Sequence, residues 1–331
     1  MHPPEMQEEN HVISNFTIET ESRARSERGF WLAVAAYLLW GLLPVYWKQL
    51  DHIPALELVC HRIVWSFLFL AVIVTLTNQW KSLIGNTFSK PALISYSIAA
   101  CLIGMNWLTY VWAINSGFIV ETSLGYFINP LLSVVLGVLF LGERLRRLQL
   151  YAVILAGSGV LFLTIAHGSP PWVALFLASS FAVYGLVKKR APMNSIQGLT
   201  VETAILFLPA LSYLLYRMRS GSDAFLGGSV TQDILLVCAG PVTSIPLLLF
   251  AGAARRISLT LVGIIQYISP TLTFLIGITL YDEPFSQTKL IGFSAVWIAL
   301  ITFSFDGIRH QVKTHYHGFD LITPRWYFRE R

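Results

Sequence analysis

The chain has 331 residues, of which 55% are hydrophobic and 12% charged, with a mean hydropathy of +0.61. Soluble domains carry about 25% charged residues, and 23 Lys and Arg with 18 Asp and Glu cannot cover the surface of a water-soluble fold this long. A soluble enzyme, a disordered regulator and a disulfide scaffold are excluded, which leaves a polytopic membrane protein.

Residues 1–29 are polar and mixed in charge, with no short apolar core and no small-residue cleavage site, so they read as a cytoplasmic tail and not a secretory signal. A bilayer core about 30 Å thick takes roughly 20 apolar residues per helix. Ten stretches meet that need, near 30–48, 57–77, 93–114, 120–141, 149–166, 172–188, 199–216, 234–254, 259–280 and 290–307, with a second cytoplasmic tail over 308–331. Short connections rich in breakers separate them: Asp51 to Pro54, Asn78 to Pro91, Gly168 to Pro171 and Arg217 to Gln232. Period-2 alternation is absent, so the spans are helices and not barrel strands. The expected fold is an all-α membrane protein of ten transmembrane helices.

Polar groups inside a bilayer are costly, so each one is a site candidate. The second span carries Glu57, His61, Arg62 and Trp65; Glu57 and His61 share a helix face and Arg62 lies about 100° round. Two readings stay open there: Glu57 and His61 at the interface with Arg62 snorkelling outward, or Arg62 in a polar cavity recognising an anion or gating. On the third span Asn106 and Tyr110 are four apart and face either a cavity or a neighbouring helix; Trp112 reads as an interface anchor.

The fourth span holds Glu121, Tyr126, Asn129 and Pro130, and the ninth holds Gln266, Tyr267, Ser269 and Pro270. Each mid-span proline removes a donor and frees the carbonyl four residues earlier, at Tyr126 and Gln266. Such kinks suit a substrate site, and they are also common packing features. Glu143 and Glu283 end these two spans, as caps or braces more readily than as proton-coupling groups.

Orientation follows from Lys and Arg outside the spans. With the N-terminus inside, eighteen of the 23 fall on the inner face, among them Lys188, Lys189, Arg190, Arg255 and Arg256. Only Lys48, Arg217, Arg219 and Lys289 fall outside, and Arg62 stays within a span. Both termini are therefore expected in the cytoplasm. The net charge of +5 is this bias and not a nucleic-acid-binding stripe.

At a constant offset of 140, Ile128, Pro130, Leu132, Gly137, Glu143 and Leu150 align with Ile268, Pro270, Leu272, Gly277, Glu283 and Leu290. The chain thus reads as two five-helix halves, 30–166 and 172–307. Five is odd, so the second half enters the membrane inverted, an arrangement many transporters use. Cysteines 60, 101 and 238 lie in apolar runs without CxxC spacing, and the tail histidines His310, His315 and His317 are scattered; neither set points to a metal. No HExxH, GxSxG or Walker loop is present, so neither an enzyme nor a cofactor is expected. GSGVL at 157–161 reads as close helix packing.

HRIVWS at 61–66, GMNWLTYVWAIN at 104–115, SLGYFINPL at 123–131, FLGERLRR at 140–147, YGLVKK at 184–189 and QYISPTLTFL at 266–275 together resemble the RarD branch of the EamA transporters, within the drug/metabolite transporter superfamily. The likeness runs from about residue 30 to 307 and leaves out both tails. It implies a ten-helix bacterial inner-membrane permease of two inverted halves; the branch is associated by name with chloramphenicol sensitivity, and relatives across the superfamily move amino acids, metabolites or drugs. The combined expectation is a secondary transporter of a small polar or amphipathic solute, alternating access about a midplane site, with His61, Arg62, Asn106, Tyr110, Tyr126, Asn129, Gln266 and Tyr267 along the path. Glu57, Glu121, Glu143 and Glu283 are weaker candidates for gating or coupling. A coupling proton or ion and a homodimer are both compatible with this reading. The alternative is a non-transporting membrane receptor or assembly factor using the same helices as a scaffold.

Overall fold

The computed structural model describes residues 4–116, 119–167, 171–281, 287, 290–292, 294–303 and 305–306, and within these all side chains except those of 4–20, 22, 114–115, 119–121, 123, 166–167 and 274. The described elements are all helical: α1 (Pro4–Trp47) with a 3-10 turn at Lys48–Leu50, α2 (Ala55–Leu76), α3 (Trp80–Thr87), α4 (Lys90–Asn115), α5 (Ile119–Leu141), α6 (Arg147–His167), α7 (Trp172–Arg190), α8 (Ser195–Arg219), α9 (Val230–Ala254), α10 (Leu259–Gln266) and α11 (Ile268–Leu280), followed by the shorter apolar helix α12 (Leu290–Phe303). Among the described residues nine helical stretches are long and apolar enough to cross a bilayer, α10 and α11 together forming one of them. The chain is an all-α membrane protein.

Three features differ from the sequence reading. The helix of the first span runs back to Pro4; its sequence spaces Glu21 from Arg25 and Arg23 from Glu27 at i, i+4, a spacing that favours helix. The connection after Asn78 contains α3. Asn78 turns the chain with φ +51, and the Trp80 indole N–H then donates to Thr75 Oγ1 at 2.9 Å. The ninth span is broken at Tyr267, between α10 and α11, three residues before Pro270.

The chain divides into two compact units. The first, residues 1–143 and 171–283, holds α1–α5 and α7–α11. Within it α5 packs on α7 and α10, α2 on α8 and α9, α1 on α9 and α11, and α4 on α7 and α8. Small residues allow these approaches: Ala33, Ala36, Ala99, Ala174, Ala178, Ala182, Ala239 and Ala251 are all buried, as expected where helices pack without a hydrophobic drive against lipid. An aromatic cluster joins α1, α7 and α9. Phe250 stacks on Tyr184 at 6.0 Å and meets Phe181 and Trp40 at 5.3 and 5.7 Å.

The second unit, residues 144–170 and 284–331, holds α6 and α12. A Cβ on Gly159 would lie 2.9 Å from Ala295 Cβ and 3.0 Å from the Gly292 carbonyl, so the small-residue patch lets these two helices touch. An ion pair from Arg146 to Asp306 at 2.9 Å lies in the same unit.

Cations gather at one end of the first unit, where helix C-termini expose unpaired carbonyls. Lys189 donates to the carbonyls of Ala254 (3.2 Å) and Ile257, Arg190 to that of Phe140, Arg255 to that of Ala191 (3.2 Å) and Arg256 to that of Gly252 (2.8 Å). Each contact satisfies an orphan acceptor and complements the negative end of a helix dipole. This basic end is distinct from the opposite end, where Tyr46 bonds the Leu235 carbonyl and His52 bonds Gln232 at 2.8 Å.

The tightest approach of α2 and α9 is at Gly240, where an added Cβ would lie 2.7 Å from Trp65 Cβ and closer still to its backbone. Ser66 Oγ donates to the Gly240 carbonyl at 3.2 Å. Gly240→Ala is expected to destabilise the detergent-solubilised protein by about 1–3 kcal/mol through overpacking. Gly85→Ala on α3, where nothing lies within 4 Å, should be neutral or stabilising by about 0.5–1 kcal/mol. Thermal midpoints of the two variants decide it; equal midpoints would contradict the close α2–α9 contact.

Candidate functional site

Arg62 projects from the second turn of α2 among side chains of three other helices. Its Nε donates to Thr243 Oγ1 at 3.1 Å, and Thr243 falls in the middle of α9. Its guanidinium lies over the Trp47 ring of α1 at 4.8 Å and over the Trp107 ring of α4 at 4.6 Å. The phenols of Tyr46, Tyr110 and Tyr126 are within electrostatic reach. The Tyr110 and Tyr126 rings meet edge to face, 6.2 Å apart. Tyr126 keeps 46% of its surface exposed.

Among the described residues no carboxylate forms an ion pair with Arg62. A cation at mid-depth costs roughly 2.5–3.5 kcal/mol on insertion. Two cation–π contacts of about 0.5–2 kcal/mol each and one hydrogen bond from a charged group of about 1.5–3 kcal/mol are enough to offset it. Aromatic faces and a hydroxyl hold the charge without neutralising it.

The structure brings together three of the sequence candidates, Arg62, Tyr110 and Tyr126. The others have different surroundings. Glu57 is fully buried and accepts from Arg217 at 3.0 Å and from the Ala224 amide at 2.6 Å, so it clamps the loop after α8. His61 lies beneath that loop against Phe225, with Nδ1 accepting from Trp65 at 3.3 Å and Nε2 buried without a partner among the described residues. Asn106 uses Nδ2 on the Leu177 carbonyl and Ser180 Oγ of α7, at 2.9 and 2.8 Å. Gln266 Oε1 accepts from the Tyr37 hydroxyl at 3.4 Å, and the Tyr267 hydroxyl donates to the Phe127 carbonyl at 3.2 Å. Asn129 is buried, its Oδ1 unpartnered among the described residues. Pro130 lies inside the continuous α5, whereas Pro270 sits in the first turn of α11. The Glu121 side chain and all of Glu283 lie outside the described residues.

Glu143 shows how local sequence aims a side chain. Gly142 adopts φ +67 at the end of α5, a left-handed conformation that glycine takes freely, and the Glu143 amide reaches back to the Gly137 carbonyl at 3.1 Å, closing the helix. The carboxylate then accepts from the amides of Leu259 and Thr260 at 2.6 and 2.8 Å, capping the positive end of α10.

Sequence reading missed two sets of residues. Thr243 and Ser244 stand between Pro241 and Pro246 in α9; a pair of hydroxyls between two prolines in an apolar run was the available signal. The other set is Lys188 and Glu202. Counted among inner-face cations, Lys188 is instead 2% exposed, paired at 2.6 Å with Glu202, itself 1% exposed. Tyr184 donates to the other carboxylate oxygen at 2.9 Å, and the rings of Tyr96 and Tyr184 flank the ammonium at 5.7 and 5.8 Å. Among the described residues no three of His, Cys, Asp and Glu converge as a metal group; His310, His315 and His317 lie outside the described residues.

Breaking a buried pair from one side strands the other charge, at a cost of about 3–5 kcal/mol, whereas replacing both with apolar residues is often neutral. Lys188→Met and Glu202→Leu should each lower the unfolding midpoint sharply, and the double variant should recover most of the loss. Additive losses in the double variant would contradict the pairing.

The sequence model of the EamA-like transporter family matches residues 27–165. The chain is 44% identical to the uncharacterized transporter YojE of Bacillus subtilis, over 89% of this chain and 99% of that protein. It is 42% identical to Protein RarD of Escherichia coli, over 88% of this chain and 98% of that one. A solved crystal structure of a protein 17% identical superposes with a TM-score of 0.66 over 85% of this chain and 98% of its own, a likeness of fold. With identity above 40% sustained over nearly the whole length of these relatives, the chain belongs to the EamA-like transporter family, in its RarD branch.

Proposed function

We propose that the chain is a secondary transporter of a small polar or amphipathic solute in the bacterial inner membrane, working by alternating access about a midplane site that includes Arg62. The observation that carries this reading is a cation within a membrane-spanning helix that ring faces and a hydroxyl hold, with no carboxylate partner among the described residues. A scaffold protein gains nothing from that arrangement; a binding site does. Asn129, Gln266 and Tyr267 line the path below it in this reading.

The reading includes ten spans in two inverted five-helix halves, 30–166 and 172–307, between tails 1–29 and 308–331, with both termini inside. Two contacts support the inversion. The Phe67 and Phe207 rings meet at 4.8 Å, and the Tyr267 hydroxyl bonds the Phe127 carbonyl. Both pairs are 140 residues apart, the offset of the sequence repeat, and all four residues lie in the interior of their spans. Residues related by a two-fold axis touch their own equivalents only at that axis, so two such contacts within the spans fit an axis in the membrane plane. At the same offset Arg62 corresponds to Glu202.

Uptake of a labelled solute library into proteoliposomes tests the function: the wild type should move at least one solute, and Arg62→Leu should insert normally and lose it. Pro130→Ala and Pro270→Ala should both fold, each restoring a backbone donor, and both should transport more slowly; wild-type rates in both would make the prolines packing features. Reporter fusions after Asn115 and Gln232 should report the outside and one after Arg147 the inside. An external signal at Arg147 would overturn the orientation and the inverted repeat.

A further inference from the structure

The geometry around Arg62 points to a substrate class: we infer that the solute is an organic monoanion, a carboxylate on a compact apolar body, bound edge-on by the guanidinium. The inference rests on the transport reading above and adds the charge and shape of the cargo.

A guanidinium has two faces and a planar fork of donors. Here its carbon lies over the Trp47 and Trp107 rings, 4.8 and 4.6 Å from their centroids, and Nε is spent on Thr243. What stays free is the edge bearing the two terminal nitrogens, for which the described residues provide no acceptor. Two parallel donors in one plane match the two oxygens of a carboxylate. A carboxylate meets the two terminal nitrogens in their own plane.

Charge count narrows the class further. One unneutralised cation balances one negative charge. A phosphate dianion would require more donors or a nest of backbone amides, and the neighbouring groups are the phenols of Tyr110 and Tyr126. A zwitterion would also require an acceptor for its ammonium. Glu57, the carboxylate nearest in sequence on α2, is fully buried and already engaged by Arg217 and the Ala224 amide. Aromatic walls with no second charge among the described residues favour an apolar body behind the carboxylate.

The test uses the full-length protein in nanodiscs with benzoate as the probe, against benzylamine, benzyl alcohol, chloride and phosphate at matched ionic strength. Trp47 and Trp107 make the site report through intrinsic tryptophan fluorescence, and thermal unfolding gives a second readout. Benzoate is expected to quench saturably and raise the unfolding midpoint, with no comparable response to the other four. Arg62→Lys, which keeps the charge and loses the fork, should weaken benzoate binding at least tenfold, and Arg62→Gln should abolish it. An equal response to benzylamine or benzyl alcohol, or benzoate binding unchanged in Arg62→Lys, overturns the inference. The two readings fail separately. Arg62-dependent benzoate binding with no solute moved in proteoliposomes would refute transport and leave the anion site standing. Transport confined to neutral or cationic solutes would leave the transporter standing and refute the anion.

Discussion

A charge placed among apolar helices has to be solvated by the protein itself, and this molecule meets that requirement in three different ways. At the basic end, Lys189, Arg190 and Arg255 lie against carbonyls at the ends of neighbouring helices and Arg256 against one at the end of α9, the helix it follows. In the α7–α8 hairpin Lys188 is neutralised by Glu202 between two tyrosines. At Arg62 the partners among the described residues are ring faces and a hydroxyl. The first two solutions are complete within the fold. The third leaves hydrogen-bonding capacity unused, and unused capacity at depth is what separates a binding group from a structural one.

Sequence reasoning reached the class of protein without difficulty, because bilayer thickness imposes a length and a composition on every crossing. Element ends were harder. Nothing in the apolar pattern distinguishes a helix that begins at the membrane from one already wound before it, so α1 runs back into a segment read only as polar. The break at Tyr267 was blurred for a similar reason. Pro270 is visible in the sequence, but whether a proline bends a continuous helix, as at Pro130, or opens a new one depends on what the preceding turn packs against.

The site was legible in part. Arg62 stands out in any reading because an isolated cation in an apolar run is expensive, and Tyr110 and Tyr126 follow from helical spacing. Glu57, His61 and Asn106 have equal claims on paper and turn out to have other tasks, since a hydrogen bond to a neighbouring helix is invisible until that helix is placed. Lys188 misled for the opposite reason: beside Lys189 and Arg190 it looks like one more surface cation, and only the burial of Glu202 fourteen residues later sets it apart. Charge counting assigns a residue to a side of the membrane without saying whether it faces water.

The interruption between α10 and α11 divides one membrane crossing between two masters. Glu143 fastens the start of α10 to the end of α5, the Pro130 carbonyl would sit 2.7 Å from a Cβ on Gly263 in its middle, and the Tyr267 hydroxyl ties its last turn to Phe127. α10 is therefore riveted to α5 along its length. α11 instead leans on α1, where Leu272 fills the gap at Gly41 and Thr273 bonds the Gly41 carbonyl at 3.4 Å. Relative travel of α1 and α5 therefore loads the joint between Tyr267 and Ile268, beside the Tyr37 bond to Gln266, and makes it an elbow between two arms that lean mainly on different neighbours.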